Sequence, residues 1–506
     1  MMKNRTWTAL ALLLIFLTPC VWAKKPVREG LAAHIEKILS DPAAVRGHWG
    51  IAVAALDGGR ELYALNGDEL FTPASNTKIF TTATALALAG PQYTLRTTLE
   101  STVAADGAGR LHGDLYLTGG GDAALDEAAL EDLATQLAAR GITRIDGDIA
   151  GDDRWLPWEP VNDSWLVGDL SWDYGAPVSA LTLGDNLIFL QILPGVQPGD
   201  AAQVVETPLA TLVPIDNRIT TLTAGSRRAL TLHRAPWSQT VQLGGVIPAG
   251  DAGETLRIAA LDPAQQAAAM LASILRRHGI AIGGTARALH RGAAEVFVPD
   301  GARLVLASHL SKPLLEDVRT TNKFSQNLHA ELLLRLAGKS SGGDGSLSSS
   351  LQAERAWLTT AAALDGASFA LNDGSGLSRQ NLASPRAFTQ LLRFAATQPW
   401  GEAWRETLPQ GGVDGTLARR PPQPAAPDPP AGRARRHGKT QPAPVRYEVR
   451  AKTGSFGHVN ALSGYLKTET GQEAVFSILV NNHTMGGHNA SQTIDQIVAA
   501  IAESLR

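Results

Sequence analysis

Phe71-Thr72-Pro73-Ala74-Ser75-Asn76-Thr77-Lys78-Ile79-Phe80-Thr81-Thr82-Ala83 sets a serine three residues ahead of a lysine at the entry to an apolar run. Residues three apart share one face of a helix, so the Lys78 amine is expected to reach the Ser75 hydroxyl and take its proton. Ser75 is thereby a candidate nucleophile. The following residues, 81–89, are small and apolar, the pattern of a helix buried on all sides, which would hold the nucleophile rigidly within its domain. Alone, the tetrad also fits an ordinary helix start after Pro73.

Two further patterns occur downstream, in the order that a lysine-activated serine requires. Ser325-Gln326-Asn327 offers a second hydroxyl and an amide, and Lys452-Thr453-Gly454 offers a cation on a strand edge. Each of the three patterns occurs once. Lysine is scarce, with none between Lys78 and Lys312, yet two of the few fall inside these motifs.

With these motifs the chain resembles the class C low-molecular-mass penicillin-binding proteins, the D-alanyl-D-alanine carboxypeptidase/endopeptidase family. Tyr174-Gly175-Ala176-Pro177-Val178-Ser179-Ala180-Leu181, Asp373-Gly374-Ser375-Gly376-Leu377-Ser378-Arg379, Gly412-Val413-Asp414-Gly415-Thr416-Leu417 and Ala461-Leu462-Ser463-Gly464-Tyr465 extend the resemblance from about residue 32 to the C-terminus. It implies an α/β/α sandwich with an antiparallel sheet, β-lactamase/transpeptidase-like, and cleavage of peptidoglycan stem peptides and cross-links through an acyl-enzyme on Ser75. In that design Lys78 is the general base and Ser325 passes the proton to the leaving amine. Asn327 holds the substrate amide, and Lys452 with Thr453 binds a terminal carboxylate. Gly454 and Ser455 complete the substrate strand, with the amides of Ser75 and Ser455 as oxyanion donors. Asp169 and Arg379 match positions that contact the diaminopimelate side chain, with Asp173 a rival to Asp169. β-Lactams are the expected covalent inhibitors, and the chemistry calls for no metal or other cofactor.

At 506 residues the chain is too long for one core. A hydrophobic content of 44% and a formal charge of -3 describe a globular protein without the basic surface that nucleic acid requires. Lys3 and Arg5 precede an apolar run over 9–17, and Val21-Trp22-Ala23 offers small residues for cleavage, so residues 1–23 read as a signal peptide and the mature chain as periplasmic. That run is short for a membrane anchor, and no later stretch is longer. Cys20, the only cysteine, lies in the leader. Pro19 before it fits lipoprotein processing poorly, and the mature chain has no disulfide.

Strands are expected over 48–55 and 61–64. The chain from Ser75 to Ser325 is far longer than one domain needs, so two nested insertions are read there. One is an α+β module over 98–181 and 259–301, with a hairpin over 95–117 and helices over 127–140 and 263–275. The other is an all-β module over 182–258. The catalytic domain takes 24–97 and 302–506, resuming after Pro313 with a long helix that has Ser325 at its start, then strands over 449–455, 461–468 and 474–480 and a helix over 490–505. Gly338-Lys339-Ser340-Ser341-Gly342 matches a nucleophile elbow in letters but ends a helix, so it reads as a loop. Residues 419–446 are rich in Pro, Ala and Arg and read as a mobile insert. Gly438-Lys439-Thr440 within it lacks the glycine a phosphate loop requires, where Arg433 stands, so no nucleotide site is expected. Other readings of the chain are a β-lactamase-like hydrolase, against which stands the missing class A Glu-x-x-Leu-Asn, and a catalytically weak peptidoglycan-binding module.

Overall fold

The computed structural model describes residues 27–505 apart from 208–212, 236–237, 293–294, 296–301 and 422–446. Residues 1–23, expected to be a leader, with Cys20, and most of residues 419–446, expected to be a mobile insert, lie outside the described residues. The central sheet is antiparallel, in the order Tyr447–Phe456, Val459–Thr468, Glu473–Asn481, His48–Ala55, Glu61–Leu65. Its middle strand, Glu-Ala-Val-Phe-Ser-Ile-Leu-Val-Asn, is apolar almost throughout because both faces are covered. Ile35, Ile494, Ile497 and Ile501, on the helices Val27–Leu39 and Gly487–Ser504, pack one face with Phe476 and Ile478. Phe80, Phe388, Leu391 and Trp404 pack the other with Val475 and Leu479. Helices on both faces of an antiparallel sheet give the expected α/β/α core.

A second sheet, mixed, runs in the order Ala286–Leu289, Ile149–Asp152, Leu115–Thr118, Arg96–Ser101, Leu304–Leu310. The helices Glu127–Ala139 and Pro263–Arg277 cover it through Leu130, Leu133, Leu271 and Ile274. Each begins at an aspartate, Asp126 or Asp262, whose side chain accepts from the backbone N–H three residues on. Leu304–Leu310 pairs with Arg96–Ser101, so these two strands, cut by or outside the sequence boundaries at 97/98 and 301/302, belong to this sheet. Hydrogen bonding, not composition, fixes that edge. Between the strands of this module two three-stranded sheets enclose Ile188, Leu190, Ile219, Leu243 and Ile258.

The long helix expected with Ser325 at its start runs over Asn327–Ser340, but a separate helix, Leu314–Phe324, precedes it, and Ser325 between the two takes a left-handed backbone (φ 60°, ψ 36°). Ser325 therefore projects from a joint rather than from a helix.

Candidate active site

The turn that carries Ser75 is a short 3-10 segment, Ala74–Thr77, feeding the helix Lys78–Ala89. Ala74 has φ 49°, an uncommon conformation for a residue with a side chain, and the surroundings hold it there. Thr77 Oγ1 donates to Ala74 O at 2.9 Å and Asn76 Nδ2 donates to Ser463 Oγ at 2.7 Å. Two glycines let neighbours close on this turn. A Cβ at Gly376 (φ 82°) would lie 2.1 Å from Ala74 O, and one at Gly454 would lie 2.5 Å from Pro73 O and 3.1 Å from Ser75 N. Any side chain at either position would displace the nucleophile.

Lys78 is fully buried, and its Nζ has three neighbours: Ser375 O at 2.5 Å, Asn327 Oδ1 at 2.6 Å and Ser75 Oγ at 3.2 Å. The first two can only accept. A neutral amine satisfies both with its two N–H bonds and turns its lone pair to the one neighbour that owns a proton to give, Ser75. Burial brings the Lys78 pKa down to about 7, against the raising fields of Asp373 and Glu331.

Lys452, also fully buried, donates to Ser325 Oγ at 2.9 Å and to Thr453 O at 2.9 Å. Burial and then the charge of Lys78 hold its pKa well below the usual lysine range. The repulsion between the two amines thus bears on Lys452 rather than on Lys78. An anionic group arriving beside Lys452 would restore its charge.

The strand Tyr447–Phe456 pairs with Val459–Thr468 along one edge. On its other edge Ala451 N donates to Pro409 O, and Gly411 N donates to Val449 O. Alternate N–H groups face the same edge, so those of Thr453 and Ser455 continue the Ala451 side, beyond the last paired residue. Ser455, itself exposed, presents its amide beside the Ser75 turn, which Gly454 touches.

Asn327 Nδ2 donates to Tyr174 O at 2.8 Å, which leaves Oδ1 facing Lys78. Asp169 Oδ2 lies 4.0 Å from Arg379 Nη1, and the Arg379 guanidinium stacks over Phe456. Asp173 is held instead by Arg257 at 2.7 Å. Ser75, Lys78 and Asn327 thus form one hydrogen-bonded group, Ser325 and Lys452 form a second that feels the charge of Lys78, and Arg379, with Asp169 beside it, lies over Phe456 at the end of the Lys452 strand.

Residue reasoning missed the support beneath the cleft. Buried Asp373 accepts from Gly376 N at 2.8 Å, Ser378 N at 2.6 Å, Asn381 Nδ2 at 2.7 Å and Trp165 Nε1 at 2.9 Å, folding the loop that aims Ser375 O at Lys78 and displays Arg379. Glu331, whose pKa burial pushes up, accepts from Gly374 N and Ser375 N at 3.0 and 2.8 Å. The sequence shows an acid in the stretch His329 to Leu336 and another in a glycine-rich loop, but no spacing ties either to Lys78. Among the described residues no cluster suited to a metal ion occurs, and no helix is long and apolar enough to cross a membrane.

The profile of the D-Ala-D-Ala carboxypeptidase 3 (S13) family matches residues 31–504. A D-alanyl-D-alanine carboxypeptidase of Actinomadura sp. (strain R39) is 33% identical over 484 residues, 94% of this chain and 84% of that protein. The crystal structure of penicillin binding protein 4 (dacB) from Haemophilus influenzae superposes with a TM-score of 0.78, covering 93% of this chain and 99% of that one at 23% identity, a likeness of fold. The same protein complexed with a β-lactam matches with a TM-score of 0.71 at 23% identity, over 94% of this chain and 99% of that one.

Proposed function

This chain belongs to the D-Ala-D-Ala carboxypeptidase 3 (S13) family, and from that membership we propose how its residues carry out the work of a serine DD-peptidase on peptidoglycan. The observation that carries the assignment is the set of neighbours around Lys78, two acceptors and one hydroxyl. Neutral Lys78 takes the Ser75 proton as Ser75 Oγ bonds to the carbonyl carbon of the penultimate D-alanine. Electrons displaced onto the carbonyl oxygen are held by the N–H groups of Ser75 and Ser455. The tetrahedral adduct collapses as the C–N bond breaks, and the proton passes by way of Ser325 to the leaving nitrogen. Water then attacks the ester carbon with Lys78 again as base, freeing the shortened peptide and Ser75.

Lys452 and Thr453 bind the terminal carboxylate, Asn327 holds the substrate amide, and Gly454 admits the substrate strand beside Ser75. Asp169 and Arg379 meet the amine and carboxylate of the diaminopimelate side chain. Asp169 is favoured over Asp173 because Arg257 already occupies the latter. The leaving group is a terminal D-alanine in carboxypeptidase action and a diaminopimelate amine in endopeptidase action. β-Lactams acylate the same serine, as the complex of the Haemophilus influenzae protein with such a compound suggests. We place the mature protein in the periplasm, exported by the 1–23 leader. Its catalytic domain is interrupted by an α+β module that is itself interrupted by a β module.

Release of D-alanine from a peptide ending in D-Ala-D-Ala tests the reading. Ser75→Ala should remove it together with labelling by a fluorescent penicillin, and retention of either would refute the assignment of the nucleophile.

A further inference from the structure

The Thr453 hydroxyl carries one proton, and in this structure Thr453 Oγ1 donates it to Thr416 Oγ1 at 2.8 Å. A carboxylate only accepts. If Thr453 is to bind one, its proton must turn to the ligand, and its oxygen is then free to receive a proton from Thr416. Thr416 sits in the segment Gly415–Leu417, and its own side chain is exposed beside the cleft.

The segment is anchored for that task. Lys323, 7% exposed, donates to both oxygens of Asp414 at 2.8 and 2.7 Å and to Leu408 O at 2.6 Å. Asp414 Oδ1 also accepts from Gln410 N at 2.8 Å, and Gln410 forms a β-bridge with Arg450 on the substrate strand. Lys323 lies two residues before Ser325. One ion pair therefore fixes the Thr416 segment to both the Ser325 joint and the Thr453 strand.

We propose that Thr416 is a positioning residue for recognition of the substrate's terminal carboxylate: on binding it reverses its hydrogen bond with Thr453, donating where it had accepted, so that Thr453 presents its proton to the carboxylate. This rests on the DD-peptidase reading above. The two hydroxyls form a short relay in which each bond polarises the next. No covalent bond changes, and no proton leaves its oxygen. The relay contributes only to ligands that carry the carboxylate, so Thr416 selects among substrates without touching the reacting carbonyl.

The test uses the full-length protein and two acylating substrates that share one acyl-D-alanyl group: the peptide ending in D-Ala-D-Ala, and a thioester of that group with an uncharged thiol. Thr416→Val should lower kcat/KM for the peptide roughly fivefold, mostly through KM, the scale expected for one hydrogen bond between neutral hydroxyls. The thioester rate should be unchanged. Thr416→Ser, which keeps the hydroxyl, should restore peptide cleavage. Equal losses on both substrates, or no loss on either, would overturn the proposal. Failure of the wild-type protein to acylate at Ser75 with either substrate would instead overturn the DD-peptidase reading beneath it.

Discussion

Two buried amines share one cleft without sharing a role. Lys78 is lowered to about 7 by burial, so its neutral fraction grows as pH rises through that value. Acylation of Ser75 should therefore rise with pH to a plateau, with a midpoint near 7 in a plot of kcat/KM against pH. The fields acting on Lys78 come from Asp373 and Glu331 rather than from Lys452. Lys452→Ala should accordingly leave that midpoint within about half a unit, measured with a substrate lacking a terminal carboxylate, while cleavage of D-Ala-D-Ala peptides falls by about 100-fold or more. A large downward or upward move of the midpoint would show that Lys452 tunes the base. Ser75, Lys78, Ser325 and Lys452 were legible as residues because the chemistry demands those groups in that order. Asp373 and Glu331 were not, because their role is to orient backbone groups, and a carboxylate that caps a loop has no fixed spacing from the lysine it serves.

At the scale of elements, the Lys78 helix shows how burial is spent on polar groups. The neighbouring helix Leu347–Thr360 packs beside it and buries Glu354 completely, and desolvation raises that carboxyl to about 8. Its folded pKa exceeds the unfolded value, so between about 4.5 and 8 the folded state keeps a proton that the unfolded state has lost. Stability should thus decrease as pH rises through that window, by up to about 1.4 kcal/mol per pH unit. Glu354→Gln should flatten this slope, read from urea midpoints at pH 5 and pH 8; an unchanged slope would show that the carboxyl ionises freely. Strands such as 48–55 and 474–480 were legible from their continuous apolar content. The break at Ser325 was not, because nothing in Lys-Phe-Ser-Gln-Asn forbids a continuous helix. Lys323 bonded to Asp414, the Ser325–Lys452 contact and the Asn327–Tyr174 contact hold the left-handed joint, and all are long-range.

At the scale of the molecule, the segment around Asp185 is tied to the helices Leu314–Phe324 and Asn327–Ser340 by a charge clamp. His329 is buried with Asp317 on one ring nitrogen and Asp185 on the other at 2.9 Å, and its pKa is raised to about 10 despite burial. Asp185, in the short segment Gly184–Asn186, also accepts from Gln326, next to Ser325. A group raised in this way stabilises fully below its unfolded pKa near 6.5, and the contribution is lost as pH climbs through about 10. His329→Gln should remove the cation between two carboxylates and cost about 3 kcal/mol at pH 7, toward the low end for a broken buried pair because Asp185 is partly exposed. Thermal melts at pH 7 would show it, and a loss under 1 kcal/mol would mean that the clamp is idle. The length between the motifs showed in the sequence that the chain there carries structure of its own, whereas which strands share a sheet depended on pairing such as Leu304–Leu310 with Arg96–Ser101.

The central claim is that Ser75 is acylated because Lys78 takes its proton. Peptide mapping by mass spectrometry after brief exposure to penicillin tests it most directly. The account predicts one added penicilloyl mass on the peptide containing Ser75, formed faster at pH 8 than at pH 6 and absent in Lys78→Ala. An adduct on another residue, or near-normal acylation of Ser75 in the Lys78→Ala protein, would contradict it.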